Sequence, residues 1–161
     1  MELLSPVQLR IATPNMNPKC VFCTKVANEG REIMRNDLAW AFLTNIPIVP
    51  GHGLICPMRR VATFDDLTSQ EREALFNIRT KLKTALIKTF GAEGFNYAWN
   101  EGKDAGQAVP HLHLHILPRK KDDAGITEYE PRKFLYRPGS REESPESGLW
   151  TVTEMIRKQI E

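Results

Sequence analysis

Apolar and polar positions change rhythm several times along this chain. The run LAWAFL at residues 38–43 is apolar throughout and has the length of a strand. The turn NIPIVPG (45–51) follows, rich in proline and ending in glycine. HGLICP (52–57) reads as the next strand, so the two predict an antiparallel pair. A slower rhythm governs TSQEREALFNIRTKLKTALIKTFG (68–91). Leu75, Ile78, Leu82, Ala85 and Thr89/Phe90 trace one stripe at helical spacing. Thr68 followed by Glu71 fits a capping box, and Gly91 is a stop signal. FNYAWN (95–100) predicts a strand and EGKDAGQA (101–108) a loop, before the alternating stretch VPHLHLHILPR (109–119). Near the end, Leu149, Val152, Ile156 and Ile160 predict a short terminal helix. Strands, a helix and further strands in that order predict an α+β fold with an antiparallel sheet.

Three regions follow from this pattern. Residues 1–19 form a lead-in broken by Pro6, Pro14 and Pro18, and residues 20–121 form the main body. Residues 122–161 form a C-terminal extension, in which a loop rich in proline, glycine and charge (122–148) precedes the terminal helix. A loop of that length is functional or mobile. No internal repeat is visible.

Composition narrows the function classes. The chain has 161 residues, 41% hydrophobic and 26% charged, which is ordinary for one globular domain. Its net charge of +2 argues against a bulk nucleic-acid binder, though a local cationic site for a small anion needs no net charge. No apolar run approaches the roughly 20 residues that span a membrane. The start, MELLSPVQLRIATP, lacks the basic and apolar regions of a signal peptide. The three cysteines, Cys20, Cys23 and Cys56, are too few for a disulfide framework, so a cytoplasmic location is expected.

The chain has four histidines, and three of them fall at alternate positions: His111, His113 and His115. In a strand these share one face, about 6–7 Å apart, while Leu112, Leu114 and Ile116 share the other. Three imidazoles lining one groove admit two chemistries. One is a metal site. The other is covalent catalysis by one imidazole, with its neighbours handling protons and phosphate oxygens. The preceding loop, with Gly102 and Gly106, favours the second, because a glycine-containing turn can aim backbone N–H groups at an anion. Arg119, Lys120 and Lys121 add positive charge after the strand.

These segments resemble the histidine triad family. His-Leu-His-Leu-His-Ile-Leu matches its pattern of alternating histidines followed by apolar residues. Asn100 to Gln107 is similar to the segment that precedes the triad, and Pro47 to Pro57 is similar to the Pro-Gly-His strand entry. CPMRRVATFDDL and AGQAVPHLHLHILPRK are most similar to the fragile histidine triad branch, the dinucleoside polyphosphate hydrolases. The resemblance covers roughly residues 20–120.

The resemblance implies a sheet of about five antiparallel strands with a long helix, extended across a homodimer. It implies cleavage at the α-phosphate of dinucleoside polyphosphates such as diadenosine tetraphosphate, or of related nucleotidyl compounds. His113 would attack phosphorus and form a nucleotidyl-histidine, and His115 would assist the leaving group. His111 and His52 would support the triad, so all four histidines would serve one site. Asn100, Gly106, Gln107 and Ala108 would contact phosphate or ribose. Relatives place Asp or Asn for the ribose where this chain has Thr44, with Asn45 next to it. Relatives with an early Cys-x-x-Cys bind a structural zinc through both cysteines, the first triad histidine and a further histidine. That last position is Arg60 here, so no metal ligand is assigned, and Cys20 and Cys23 are either two packed thiols or part of a structural zinc site; no cofactor is expected to be required for catalysis. Phe134, Tyr136 and Trp150 in the extension would lie near a nucleotide site, of this chain or of its partner in the dimer, and deleting residues 130–161 would alter substrate preference more than stability.

Three other readings use the same groups: a metal-dependent hydrolase, a nucleotide phosphoramidate hydrolase, and a nucleotide-binding regulatory module with low turnover. Their common partner is a nucleotide, with no bulk nucleic acid and no membrane.

Overall fold

The apolar run at 38–43 becomes strand β2 (Ala39–Leu43), every residue of which is buried. Alternation splits it between two layers. Ala39, Ala41 and Leu43 join the main core, while Trp40 and Phe42 join a smaller cluster with Leu54, Cys56 and Met58. Strand β3 (Gly53–Pro57) runs back along it, from Leu43↔Gly53 to Ala39↔Pro57. The intervening turn is closed by the Thr44 N–H on the His52 carbonyl (3.2 Å) and the His52 N–H on that of Val49 (3.1 Å). Gly51 has φ +86°, and a Cβ there would meet the Phe90 ring at 2.6 Å, so this position requires glycine. The expected pair therefore forms, and its turn presses against the end of the long helix.

The structure, a computed structural model, describes residues 20–26, 29–125 and 143–160. The lead-in 1–19 and the expectations for Phe134 and Tyr136 lie outside those residues.

Helix α1 (Ser69–Phe90) starts and stops where its signals fall. The Glu71 N–H donates to Thr68 Oγ1 at 3.2 Å, and the Thr68 N–H donates to the Glu71 carboxylate at 2.8 Å. Arg59 grips the same carboxylate through Nε (2.9 Å) and Nη2 (2.8 Å). That guanidinium first, and the Thr68 cap second, pull the Glu71 pKa down to about 2. Gly91 adopts the left-handed conformation and its N–H caps the Ile87 carbonyl at 2.9 Å. The buried stripe contains Leu75, Ile78, Leu82 and Ala85 as expected, and Leu86 extends it.

Three further strands complete one antiparallel sheet: β1 (Glu32–Arg35), β4 (Gly94–Ala98) and β5 (Leu114–Arg119), in the order β1-β2-β3-β5-β4. Strand β1 was not expected from the pattern. A register irregularity between Glu32 and Met34 lets consecutive Ile33 and Met34 both meet the core, which erases the alternation that marks a strand. The histidine stretch was expected to be extended from 109, but the ladder begins only at Leu114. Before it, the backbone finds other partners: the His111 N–H on the Val109 carbonyl (2.8 Å) and the Leu112 N–H on that of Val61 (2.6 Å). Alternation survives nonetheless, with Leu112, Leu114 and Ile116 all on the core side.

The terminal helix α2 (Glu146–Arg157) starts three residues before the expected apolar stripe. It is no appendage. Leu149 and Ile156 are part of the same core as α1 and the sheet, and Arg157 donates to the Glu32 carbonyl of β1. Both helices cover one face of the sheet, so the other face is left for the histidines.

Candidate active site

All four histidines converge, and hydrogen bonds assign the proton on each ring. The backbone N–H of Ile48 donates to His52 Nδ1 at 3.1 Å, so the His52 proton sits on Nε2. That nitrogen lies 2.9 Å from His115 Nδ1, which must accept, leaving the His115 proton on its own Nε2. His113 Nδ1 is 2.8 Å from the His111 carbonyl oxygen. A carbonyl only accepts, so Nδ1 holds the proton and Nε2 holds a lone pair. His111 Nε2 donates to the Pro57 carbonyl at 2.8 Å, which turns the His111 Nδ1 lone pair toward Cys20 Sγ (3.4 Å) and Cys23 Sγ (3.9 Å).

Each fold element contributes to this order. The turn between β2 and β3 supplies His52 and the Ile48 amide, the end of β3 supplies the Pro57 carbonyl, and β5 supplies His115. Phe22, in a short π-helical turn (Phe22–Val26), packs edge-on to His113 with ring centres 5.1 Å apart. His113 and His115 lie 5.2 Å apart, also edge to face. Burial pushes the His113 pKa below its ordinary value, against the opposing effect of the hydrogen bond to His111. The ring is thus neutral near pH 7, with its free lone pair on Nε2.

His113 and His115 open onto a cavity of about 180 Å³ that is also lined by Phe22, Arg31, Thr44, Asn45, Ile46, Leu54 and Ala108. Thr44, Asn45 and Ala108, expected to contact substrate, line this cavity. Gly106 and Gln107, also expected to contact substrate, are not among its lining residues and hold the preceding loop together. The Gly106 N–H caps the Lys103 carbonyl (3.0 Å) and the Gln107 N–H that of Gly102 (3.1 Å), so these amides close the loop. The Gln107 side chain accepts from the Gly102 N–H (2.9 Å) and donates to the Ala62 carbonyl (2.8 Å), pinning the loop to the body. Asn100 is buried, and its Nδ2 has no hydrogen-bond partner among the described residues. Continuing the Ala98↔His115 register by two places sets Asn100 level with His113. Arg119 lies at the far end of β5 and is paired with Asp123 at 2.8 Å, away from the cavity.

The fold gathers three of the four donors that the resemblance names for a structural zinc. Cys20 Sγ, Cys23 Sγ and His111 Nδ1 lie within 4.8 Å of one another and are all buried. The hydrogen bond with Cys23, aided by His111, pulls the Cys20 thiol well below the usual range. Burial, reinforced by Cys20, pushes the Cys56 thiol up instead. Arg60, at the place of the fourth ligand, donates to the Pro110 carbonyl at 3.3 Å. Phe22 and Arg31 were missed from the sequence. Phe22 sits between the two cysteines that drew attention, and Arg31 carried no motif.

The HIT domain model matches residues 25–122, from ahead of the sheet through its last strand. The chain belongs to the HIT family. This HIT chain is 41% identical over 106 residues to the asymmetrical bis(5'-nucleosyl)-tetraphosphatase of Schizosaccharomyces pombe, a match spanning 66% of this chain but only 58% of that protein. It is 35% identical over 111 residues to the bis(5'-adenosyl)-triphosphatase of Dictyostelium discoideum, spanning 69% of this chain and 71% of that one. Its fold is shared with a Zn-bound histidine triad family protein from Mycobacterium smegmatis, with a TM-score of 0.67 and 23% identity over 88% of this chain and 93% of that one.

Proposed function

We propose that this HIT protein hydrolyses dinucleoside polyphosphates, cleaving at an α-phosphate through a nucleotidyl-histidine at His113. The observation that carries this reading is the proton arrangement: a neutral His113 with its lone pair on Nε2 beside a His115 whose Nε2 bears a proton. The His113 Nε2 lone pair forms the bond to phosphorus. The bond to the bridging oxygen breaks, and the leaving polyphosphate departs as an anion that accepts a hydrogen bond from His115. The positive charge developing on the His113 ring is stabilised by its Nδ1–H on the His111 carbonyl. Water then replaces the imidazole at phosphorus, releasing a nucleoside monophosphate and a proton and restoring neutral His113. In this reading Asn100 Nδ2 and the backbone at Ala108 hold phosphate oxygens, and Thr44 and Asn45 the ribose.

Cys20, Cys23 and His111 fit a structural zinc, with soft donors, a free lone pair on the ring, and a carbonyl fixing its tautomer. Such an ion would tie the start of the described chain to the triad and has no part in the steps above. A panel of dinucleoside polyphosphates and nucleotidyl phosphoramidates, with product analysis and with and without a chelator, tests both statements. Monophosphate release that survives chelation is expected, with a lower melting temperature for metal-stripped protein. Turnover that chelation stops and zinc restores, without unfolding, would establish the metallohydrolase instead.

The homodimer is supported by what β4 and α1 leave exposed. Strand β4 is the last in the sheet order, and Phe76, Tyr97 and Trp99 stand exposed beside it around an apolar hollow of about 220 Å³. Light scattering is expected to give a dimer mass, and Phe76→Glu is expected to give a monomer. A wild-type monomer with full activity would remove the assembly. Among the described residues, no helix is long and apolar enough to cross a membrane.

A further inference from the structure

One charged side chain in the cavity takes no part in the histidine chemistry. Arg31 is only 5% exposed, yet it lines the same cavity as His113 and His115. Its Nε donates to the Glu29 carboxylate at 2.7 Å and its Nη1 to the Leu43 carbonyl at 2.7 Å, and the guanidinium carbon lies 6.0 Å from the centre of the Phe42 ring. Three fixed contacts hold the group in one orientation. Among the described residues its Nη2 makes no hydrogen bond, yet it is not one of the sealed, unpartnered nitrogens. It therefore opens onto the cavity as a preorganised donor, and a buried guanidinium is costly to keep without use for its donors.

The sheet order sets what that donor can reach. His115 lies on β5 with His113 just before it, and Arg31 directly precedes β1; β3 and β2 lie between. Three strand spacings make about 14 Å, comparable to the length of a nucleotide. With its α-phosphorus at His113, a nucleoside would cross β3 over Leu54 and pass Thr44 and Asn45, bringing its base to Arg31. Val21, Phe22 and Ile46, which line the same cavity, are apolar and can grip either purine alike. A single fixed polar group in such a setting decides orientation and specificity.

We propose that Arg31 reads the base and selects a 6-oxopurine, guanine, over adenine. This rests on the reading of the site as a nucleotide site. A guanidinium can only donate, and guanine presents acceptors at O6 and N7 where adenine presents an amino donor beside N7. Adenine at this place would offer Arg31 only N7, with an amino donor opposing it where guanine has O6.

The deciding substrate is a mixed dinucleotide, guanosine and adenosine joined by four phosphates. Docking the guanosine end gives GMP and ATP, and docking the adenosine end gives AMP and GTP. Wild type is expected to favour GMP and ATP by about tenfold or more, the size expected for one charge-assisted hydrogen bond. Arg31→Met is expected to bring the ratio near one, and Arg31→Lys, which keeps stem and charge, to leave an intermediate bias. Calorimetry of GMP and AMP binding asks the same question without turnover. A protein that binds GMP more tightly than AMP but cleaves nothing would overturn the hydrolase and leave Arg31 its role. No bias in wild type would overturn the proposal. So would a bias that both folded variants retain, or a loss in the variants that falls on ribose and 2'-deoxyribose substrates unequally but on both bases alike.

Discussion

An asparagine at position 113 is expected to abolish turnover while leaving nucleotide affinity close to wild type. The asparagine amide can still donate to the His111 carbonyl, as His113 Nδ1 does at 2.8 Å, and it still fills the space beside Phe22. It has no lone-pair nitrogen to attack phosphorus. Losing a covalent path costs orders of magnitude in rate, about a thousandfold or more, whereas one lost binding contact costs about 0.5–1.5 kcal/mol. His113→Ala should give the same loss of rate, with a further loss of stability from the cavity it leaves. Single-turnover kinetics with an alkaline denaturing quench, which preserves the P–N bond, should show a labelled protein intermediate in wild type and none in either variant. A His113→Asn enzyme that hydrolyses substrate within tenfold of wild type would remove the covalent mechanism and leave water activated by His115 and His52 as the alternative.

The parts of this site that were legible in the sequence share a physical reason: each depended on local period or spacing. Alternation placed three histidines opposite three core residues, and Thr68 with Glu71 marked the start of α1 to the residue. The fourth histidine was placed by the Pro-Gly-His segment and bonds to His115 directly. What stayed hidden depended on contacts between residues far apart. The partner that fixes the His113 tautomer is the carbonyl two residues back, a backbone group that no side-chain pattern reports. The Gln107 amide holds Ala62 and Gly102, a tie to the body that no local spacing announces. Strand β1 escaped because its irregular register turns two successive apolar residues the same way. The donors Cys20, Cys23 and His111 meet across some ninety residues of sequence, so spacing alone did not join the thiol pair to the triad; the resemblance to relatives with an early Cys-x-x-Cys named the same three residues.

Cutting the chain ahead of α2 is expected to unfold the protein rather than change its substrate preference. The sequence placed this segment in an extension near a nucleotide site, of this chain or of its partner in the dimer; within this chain the helix lies on the opposite face of the sheet from the histidines. Ile156 and Thr153 are fully buried and Leu149 nearly so, and the apolar pair packs with Ile78, Leu82 and Ile33 in one core. The Thr153 hydroxyl donates to the Leu149 carbonyl at 2.8 Å, which lets a polar residue sit there without an orphaned group. Trp150 lies against Gly30, next to Arg31, so the helix also backs the start of β1. Ile156→Ala alone should cost about 2–5 kcal/mol. Removing Leu149 and Ile156 together, with the Arg157 tie to Glu32, should exceed much of the roughly 5–15 kcal/mol that holds a domain of this size together. Urea unfolding of Ile156→Ala should show a lower midpoint with unchanged kcat, because nothing in the cavity touches that residue. A chain ending at residue 142 should lack a cooperative transition. If instead the shortened chain melts like the full one and hydrolyses a different nucleotide, α2 belongs to the substrate site and not to the core.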